Sequence, residues 1–339
     1  MPPERIEDLA EAAFAPAARW VGDGRIPGAA LGIVAADGAR AVRVAGFAQI
    51  EPTRELLSRE TWFDLASLTK VIFTTTAILR LVEAGRIALD DPLTKAIPDL
   101  RQYDMKAAER RLTFRQCLGH QTHLPAVEPL YTYGQDPQTL RAFILQREWK
   151  PGPPVYSDVN FLLLGIAIER LTGRPLIDQP LPDGLTFRPD PRLCAATERD
   201  TWRGRVIRGE VHDENAFAFG GAAGHAGLFG TVDGVLDFAA SLLDGTGLSA
   251  ASLKEIRTRQ SGTRTVGWEA PFPNWSGGAG CSDDTIGHTG FTGTGLWIDF
   301  ARSIAWTLLT NRVHPSRHTD SGIMDLRRAT GKAVAQGLG

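Results

Sequence analysis

The chain has few cysteines, no block of like charges and no long apolar run, and each absence excludes a class of protein. Cys117, Cys194 and Cys281 are an odd number at wide spacing, which argues against a disulfide framework and a cysteine-rich metal site. With 37 basic and 39 acidic residues, the formal net charge is -2. No cluster of one sign suits nucleic acid or a membrane surface. The expected partner is a small molecule.

The N-terminal region predicts a cytoplasmic protein, because it is acidic and lacks the apolar run of a secretory signal. No later stretch approaches the roughly 20 apolar residues of a membrane-spanning helix. We therefore expect neither a membrane partner nor a nucleic-acid partner, and no cofactor. The sequence leaves the oligomeric state open.

What the chain does contain is enough apolar sequence for a large core, since 43% of its 339 residues are hydrophobic. Asp37-Gly38 is a strong hairpin signal between two early strands. Gly85 is placed to end the helix that begins at Ser67. The predicted elements are helices over 4–20, 67–84, 161–172 and 321–336, and strands over 29–35, 39–47, 292–298 and 304–310.

Strands early, helices in the middle and strands late predict an α/β protein of the α+β kind. One antiparallel sheet flanked by helices would be built from both chain ends, with a mostly helical region inserted. We expect a discontinuous sheet domain over 1–85 and 235–339 and a helical domain over 86–234. A cleft between them is the natural place for a site.

Ser67-Leu68-Thr69-Lys70 is the first chemical motif, because it places a nucleophile and an amine on one helix face. A neutral Lys70 could take the proton of the Ser67 hydroxyl. Alone, the pair also fits a helix-capping serine beside a solvated lysine.

Two later motifs change that balance. Tyr156 stands between the proline-rich 151–154 loop and the start of a helix, a place from which side chains reach clefts. The 287–293 segment, which begins Gly287-His288-Thr289, opens the predicted strand with small residues, beside which a substrate can lie.

In this order and spacing the motifs resemble the serine β-lactamase and penicillin-binding protein superfamily, within its class C β-lactamase-like branch that includes the family VIII carboxylesterases. The resemblance runs over most of the chain and also takes in segments 27–30, 89–92, 118–125 and 224–229. It implies a β-lactamase/transpeptidase-like fold and a serine hydrolase without a metal.

The resemblance also implies roles for matching positions. Ser67 would be the acylating nucleophile, and Lys70 and Tyr156 would share proton transfer. The backbone N–H groups of Ser67 and Phe291 would stabilise the oxyanion. His288 would line the cleft, together with the other residues of the third motif, Thr289 and Gly290.

This sequence departs from the family pattern at two positions. Asp158 stands where the family usually has asparagine; it either keeps Lys70 cationic or caps the following helix and faces away. His288 replaces the usual lysine and removes a permanent positive charge, so neutral esters should be favoured over substrates that carry a carboxylate.

Other hydrolase classes fit the sequence less well. His120, His123 and the 212–214 segment offer metal ligands on paper, but neither H-E-x-x-H nor a comparable spacing occurs. The G-x-S-x-G element of a nucleophile elbow and the glycine-rich nucleotide loops are also absent.

We therefore predict a carboxylesterase that acts on small esters. A β-lactamase, a D,D-peptidase or a D-amino acid amidase is the alternative within enzymes, with an amide or lactam substrate. A catalytically silent binding protein on the same scaffold is the alternative outside them.

Overall fold

The computed structural model describes residues 2–134 and 136–338, which form a six-stranded antiparallel sheet with helices on both faces and a second, largely helical part. The strands are β1 (Gly28–Ala35), β2 (Arg40–Gln49), β3 (Glu55–Leu56), β4 (Phe63–Asp64), β5 (Leu185–Thr186), β6 (Ala196–Asp200), β7 (Arg205–Arg208), β8 (Phe229–Gly230), β9 (Thr285–Thr289), β10 (Gly295–Asp299) and β11 (Ile304–Thr310). The α-helices are α1 (Pro3–Gly22), α2 (Thr76–Glu83), α3 (Phe114–Leu118), α4 (Pro137–Gln146), α5 (Asp158–Thr172), α6 (Glu214–Ala218), α7 (Val232–Leu243), α8 (Ala250–Arg257) and α9 (Ile323–Gly337). A π-helix (Lys70–Thr75) precedes α2, and short 3-10 helices occur at Leu93–Lys95, Ala108–Arg111, Leu130–Tyr133, Leu176–Asp178 and Pro191–Leu193.

The large sheet is assembled from both ends of the chain. Its strand order is β3-β2-β1-β11-β10-β9, so the first hairpin lies directly beside the last strands. In the β1–β11 pair, Leu31 is opposite Leu308 and Ile33 is opposite Trp306. This confirms the predicted fold class, and the first hairpin turns at Gly38 as expected, with a φ of 85°.

Both faces of the sheet are buried, and the side chains of each strand point alternately to one face and the other. Leu31 and Ile33 join the apolar cluster beneath α1 and α9. Ala30 and Val34 join the larger cluster on the opposite face, where α7 packs. At Gly32 a Cβ atom would lie 2.8 Å from side-chain carbons of α7, so a glycine lets this helix pack closely on the sheet.

The third motif lies differently from its prediction. Residues 287–289 end strand β9 instead of opening a strand, and the 290–294 segment is the turn into β10. The Gly290 N–H donates to the Thr294 carbonyl (2.9 Å), and Gly293 has a φ of 112°. The strand prediction over 292–298 failed at its start because small residues that suit a strand are used here for a tight turn.

The inserted region is largely helical around the buried helix α5. It also contains the short strand β5, which pairs with β8, and the β6–β7 hairpin. The domain boundaries stay a prediction, and α7 begins at Val232 and packs on the sheet. No helix of the described residues is both long and apolar enough to cross a bilayer.

Candidate active site

Ser67 lies where a short strand gives way to a helix. Strand β4 ends at Asp64, and the helical run begins at Leu68, directly after Ser67. The intervening Ala66 has a φ of 47°, a left-handed conformation that is unfavourable for a residue with a Cβ atom. Its N–H donates to the buried Asp64 carboxylate at 2.8 Å. The strained turn is thus fixed by a hydrogen bond, and Ser67 lines a cavity.

Lys70 is fully buried one helical turn beyond Ser67, at the start of the π-helix. Its Nζ lies 2.9 Å from Ser67 Oγ, 2.8 Å from Asp158 Oδ1 and 3.2 Å from the His225 carbonyl oxygen. The Ser67 and His225 oxygens accept hydrogen bonds from the amine, and the Asp158 carboxylate forms an ion pair with it. The geometry therefore suits a charged Lys70 that donates to Ser67.

The neighbours of Lys70 decide its charge. Burial alone would lower the pKa of the amine, but the negative charge of Asp158 and the nearby Tyr156 hydroxyl outweigh burial and raise this pKa to about 12. A neutral base would need a lowered pKa. Because the pKa of Lys70 is raised instead, Lys70 is charged in the resting protein.

Asp158 contacts the lysine instead of capping the helix. The cap of α5 is Ser157, whose hydroxyl accepts from the Asn160 N–H, and Asp158 is the first residue of the helix. Of the two alternatives for Asp158, the structure contains the ion pair with Lys70, because Ser157 already occupies the capping position.

Tyr156 brings its ring between the helical part and the sheet. The ring centroid lies 5.0 Å from Lys70 Nζ and 5.1 Å from the Arg264 guanidinium carbon. On its helical side the ring packs on His120 at a centroid distance of 4.5 Å. The position of Tyr156 is thus fixed by an aromatic contact, with two cations beside the ring.

His288 is buried on β9 and faces the same cavity. Its Nδ1 lies 3.0 Å from the Thr289 carbonyl oxygen, to which it donates. Burial, and then the positive charges of Lys70 and Arg264, hold the pKa of His288 well below its usual range. The imidazole is therefore neutral at neutral pH.

Among the residues that the structure describes, the backbone N–H groups of Ser67 and Phe291 at the cavity have no acceptor. The segments that carry them are joined, because Thr292 Oγ1 donates to the Asp64 carbonyl (2.7 Å) and Thr294 Oγ1 to the Leu65 carbonyl (3.0 Å). Two free donors held in fixed relation are what a developing oxyanion requires.

Gly290 permits this arrangement. A Cβ atom at Gly290 would lie 2.5 Å from the Leu65 carbonyl oxygen and 2.2 Å from Thr294 Oγ1. Any other residue would push the turn away from the strand that leads to Ser67.

The cavity has a volume of about 300 Å³, a size that suits a small substrate. The residues that line it are Ser67, Tyr156, Arg264, Glu269, His288, Thr289 and Phe291. All three predicted motifs thus meet at one place, and Asp158 reaches it through Lys70.

Arg264 and Glu269 line the cavity without having been predicted. Arg264 Nη2 lies 2.9 Å from Glu269 Oε1, and burial raises the pKa of the Glu269 carboxyl. Both residues lie between α8 and β9, in a segment without a recognisable motif. No local signal in the sequence connects them with Ser67.

The histidines that suggested a metal site have other contacts. His120 Nδ1 accepts from the Ser157 N–H at 3.0 Å, and His212 Nε2 lies 3.0 Å from the Glu198 carboxylate. Within residues 2–134 and 136–338, no group of three or more potential ligands comes together as a metal site.

Comparison with known proteins finds related sequences and solved structures. The sequence profile of the Beta-lactamase family matches residues 6–329. The chain is 30% identical to an N-acetylmuramyl-L-alanine amidase of Bacillus subtilis (strain 168), over 85% of this chain and 78% of that protein. It is 33% identical to a "Putative D-alanyl-D-alanine carboxypeptidase" of Escherichia coli (strain K12), over 75% of this chain and 70% of that protein.

Solved structures show the same fold at lower identity. EstCE1, described as a hydrolase with promiscuous acyltransferase activity, has a TM-score of 0.75 at 20% identity and covers 96% of this chain and 98% of its own. A beta-lactamase from Sulfitobacter sp. EE-36 has a TM-score of 0.73 at 21% identity, with 99% of each chain covered. The predicted resemblance is confirmed, and the chain belongs to the Beta-lactamase family as a serine hydrolase of the β-lactamase and penicillin-binding protein superfamily.

Proposed function

We propose that this chain is a carboxylesterase that hydrolyses small esters through an acyl-enzyme on Ser67. The observation that carries the proposal is the 2.9 Å contact between Ser67 Oγ and Lys70 Nζ, at the wall of a cavity that Tyr156 also lines. A nucleophile in direct contact with an amine, beside two free N–H donors, fits acyl transfer.

The charges around the cavity favour a neutral substrate. Lys70 is paired with Asp158, and Arg264 is paired with Glu269. His288 adds no charge, because its pKa is held well below its usual range. With these positive charges already balanced, an uncharged ester loses less on entering the cavity than a substrate with a carboxylate.

The Ser67 proton needs an acceptor, since a charged Lys70 already donates to Ser67 Oγ and the His225 carbonyl oxygen and is paired with Asp158. As Ser67 Oγ attacks the ester carbonyl carbon, its proton moves to Lys70 while Lys70 passes one to the Asp158 carboxylate. Tyr156 then protonates the leaving alcohol and regains a proton from Lys70, which recovers its own from Asp158. One proton is thus carried from Ser67 to the leaving group, and the ion pair is restored.

The negative oxygen of the tetrahedral intermediate is placed between the N–H groups of Ser67 and Phe291. Removing one such donor typically costs about 3 kcal/mol of transition-state stabilisation. The Ser67 N–H also lies at the start of a helical run, where negative charge is favoured.

Intact-protein mass spectrometry with a fluorophosphonate tests the proposal. We expect one adduct on Ser67, together with turnover of nitrophenyl esters that Ser67→Ala abolishes. Ser58→Ala, at an exposed serine outside the cavity, is the matched control and should keep full activity. Equal ester turnover by Ser67→Ala and the parent protein would refute the assignment.

A second candidate is an amidase or D,D-carboxypeptidase that acts on cell-wall peptides. It is favoured by the similarity to the amidase and the putative carboxypeptidase, and by Arg264. The Arg264 guanidinium contacts Glu269 through Nη2 at 2.9 Å and so keeps other N–H donors for a substrate carboxylate. A panel of nitrophenyl acetate, N-acetylmuramyl-L-alanine, a D-Ala-D-Ala peptide and nitrocefin separates the candidates. Higher kcat/KM for the amides than for the ester would favour the second.

A further inference from the structure

Arg327 is a buried arginine on α9, and only 4% of it is exposed. Its Nη2 donates to the carbonyl oxygens of Gly290 and Thr294, both at 2.7 Å. Its Nη1 lies 3.4 Å from Met324 Sδ, and its Nε has no hydrogen-bond partner. Among the described residues no carboxylate forms an ion-pair contact with it, and only the more distant charge of Glu269 acts against burial. A guanidinium that is buried without a carboxylate in contact is unfavourable for folding.

The two carbonyl oxygens do not need this arginine for their own hydrogen bonds. Gly290 O already accepts from the Gly293 N–H at 3.1 Å, and Thr294 O already accepts from the Gly290 N–H at 2.9 Å. The turn is therefore closed by its own backbone. Satisfying buried carbonyls does not account for the buried charge.

The position of the charge suggests what it does. The Gly290 carbonyl and the Phe291 N–H belong to one planar peptide group, in which electron density is shared between oxygen and nitrogen. A cationic donor on the oxygen draws density from the nitrogen and strengthens the N–H as a donor. It also holds the peptide plane in one orientation.

We infer that Arg327 is a positioning residue that polarises and orients the Gly290–Phe291 peptide, so that the Phe291 N–H binds the oxyanion of the acyl-transfer step more strongly. The inference rests on the proposed function, since it assumes acylation of Ser67. Arg312 restrains the other side of Phe291, because its Nε and Nη2 donate to the Phe291 carbonyl oxygen at 2.9 and 2.7 Å. Arg327 differs from Arg312 in acting on the peptide group that contains the free N–H.

The experiment compares Arg327→Met, Arg327→Lys and the control Arg328→Met with the parent protein. Arg328 is the next residue on α9 but is only half-buried, and it bonds to the Asn274 carbonyl and Asp325 instead of the turn. Steady-state kinetics on a nitrophenyl ester are combined with the infrared carbonyl stretch of the acyl-enzyme, formed with an ester that carries ¹³C at the carbonyl. The stretch reports oxyanion-hole hydrogen bonding directly, and a merely structural role would not move it.

In Arg327→Met we expect kcat to fall about 10-fold with little change in KM, because a donor is weakened but not removed. The carbonyl stretch should rise in frequency, with Arg327→Lys between Arg327→Met and the parent, and Arg328→Met should match the parent. A folded Arg327→Met with the parental kcat and stretch overturns the inference.

Should Arg327→Met not fold, Arg327→Lys decides by the same two measurements. Its ammonium lacks the planar fork of the guanidinium, so a lower kcat and a higher stretch than in Arg328→Met support the inference, and equal values overturn it. Absence of any Ser67 adduct in the parent would instead refute the proposed function, and the inference with it. The two failures are therefore distinguishable.

Discussion

Two buried cations lie on either side of the oxyanion site, and their surroundings are opposite. Lys70 contacts the Asp158 carboxylate at 2.8 Å, whereas Arg327 contacts two carbonyl oxygens and the Met324 sulfur but no carboxylate. Burial lowers the pKa of both groups. For Lys70, the charge of Asp158 and the nearby Tyr156 outweigh burial and raise the pKa to about 12. For Arg327, burial and the positive charge of Arg312 lower the pKa to about 9. The carboxylate, rather than depth of burial, makes the difference.

The difference separates two uses of buried charge. A paired lysine can exchange protons with its partner and with Ser67, so Lys70 suits proton transfer. An arginine without a carboxylate keeps its proton at neutral pH and acts only through its field and its hydrogen bonds. Losing either should slow acyl transfer, but the effects on stability should have opposite signs.

Lys70→Met removes the ion pair between Lys70 and Asp158 and should have the largest effect. Ester turnover should fall by about 10⁴-fold or more, as for the loss of a member of a catalytic constellation. The unfolding free energy should also fall, by about 3 kcal/mol, because Asp158 is left partly buried without its partner. Steady-state kinetics and urea unfolding measure both. Lys95→Met is the matched control, since Lys95 forms an exposed pair with Asp91 at 2.7 Å. A loss of turnover of only a few-fold in Lys70→Met would contradict the role of Lys70.

Tyr156→Phe leaves the ion pair between Lys70 and Asp158 in place and removes only the tyrosine hydroxyl. Turnover of esters should fall by about 10² to 10³-fold, since proton delivery to the leaving group is lost. The melting temperature should change little, because the ring contact with His120 remains. Tyr103→Phe, at a tyrosine that is 89% exposed, should behave like the parent. A smaller loss with nitrophenol esters than with alkyl esters would identify the missing step as leaving-group protonation.

Asp158→Asn gives Lys70 the surroundings of Arg327, a buried cation without a carboxylate. The pKa of Lys70 should fall, because burial still lowers it and its largest opposing charge is gone. We expect kcat/KM near neutral pH to fall about 10²-fold, in the range of a lost general base. A pH–rate profile checks this, with Asp91→Asn as the surface control. A variant faster than the parent between pH 8 and 10 would instead show that neutral Lys70 is the working base.

The pH dependence of stability follows from the same pair. Because the pKa of Lys70 is raised from 10.5 to about 12 in the folded protein, its charge stabilises the fold below pH 10.5. That contribution is lost as the pH rises towards 12.

Arg327→Met should have the smallest effect on turnover and the opposite effect on stability. We expect the unfolding free energy at pH 7 to rise by about 1 to 2 kcal/mol, because a buried unpaired charge is replaced by an apolar side chain. The pKa of Arg327 is lowered to about 9, so its cost to the parent shrinks as the pH rises above 9. Urea unfolding at pH 7 and pH 10 should show the gap between variant and parent narrowing. A variant less stable than the parent at both pH values would contradict the comparison.

Much of the site was predictable because its parts are local. Ser67 and Lys70 meet through helix geometry alone, and the hairpin at Asp37-Gly38 follows from turn chemistry. The strand over 292–298 was misplaced at its start, since glycine and threonine serve a turn as readily as a strand. Arg264, 197 positions from Ser67 in the chain (264 − 67), was not found because nothing in its own segment marks it.

The amino-acid sequence alone determined the order of the elements, the nucleophile with its neighbouring amine, and the family. Only the tertiary structure decided the charge on that amine, through a carboxylate brought in from α5, and placed an unpaired guanidinium behind the Gly290–Phe291 peptide. The physical reason is range: helix and turn preferences act over a few residues, whereas a pKa depends on whichever charges and carbonyls folding brings within a few ångströms.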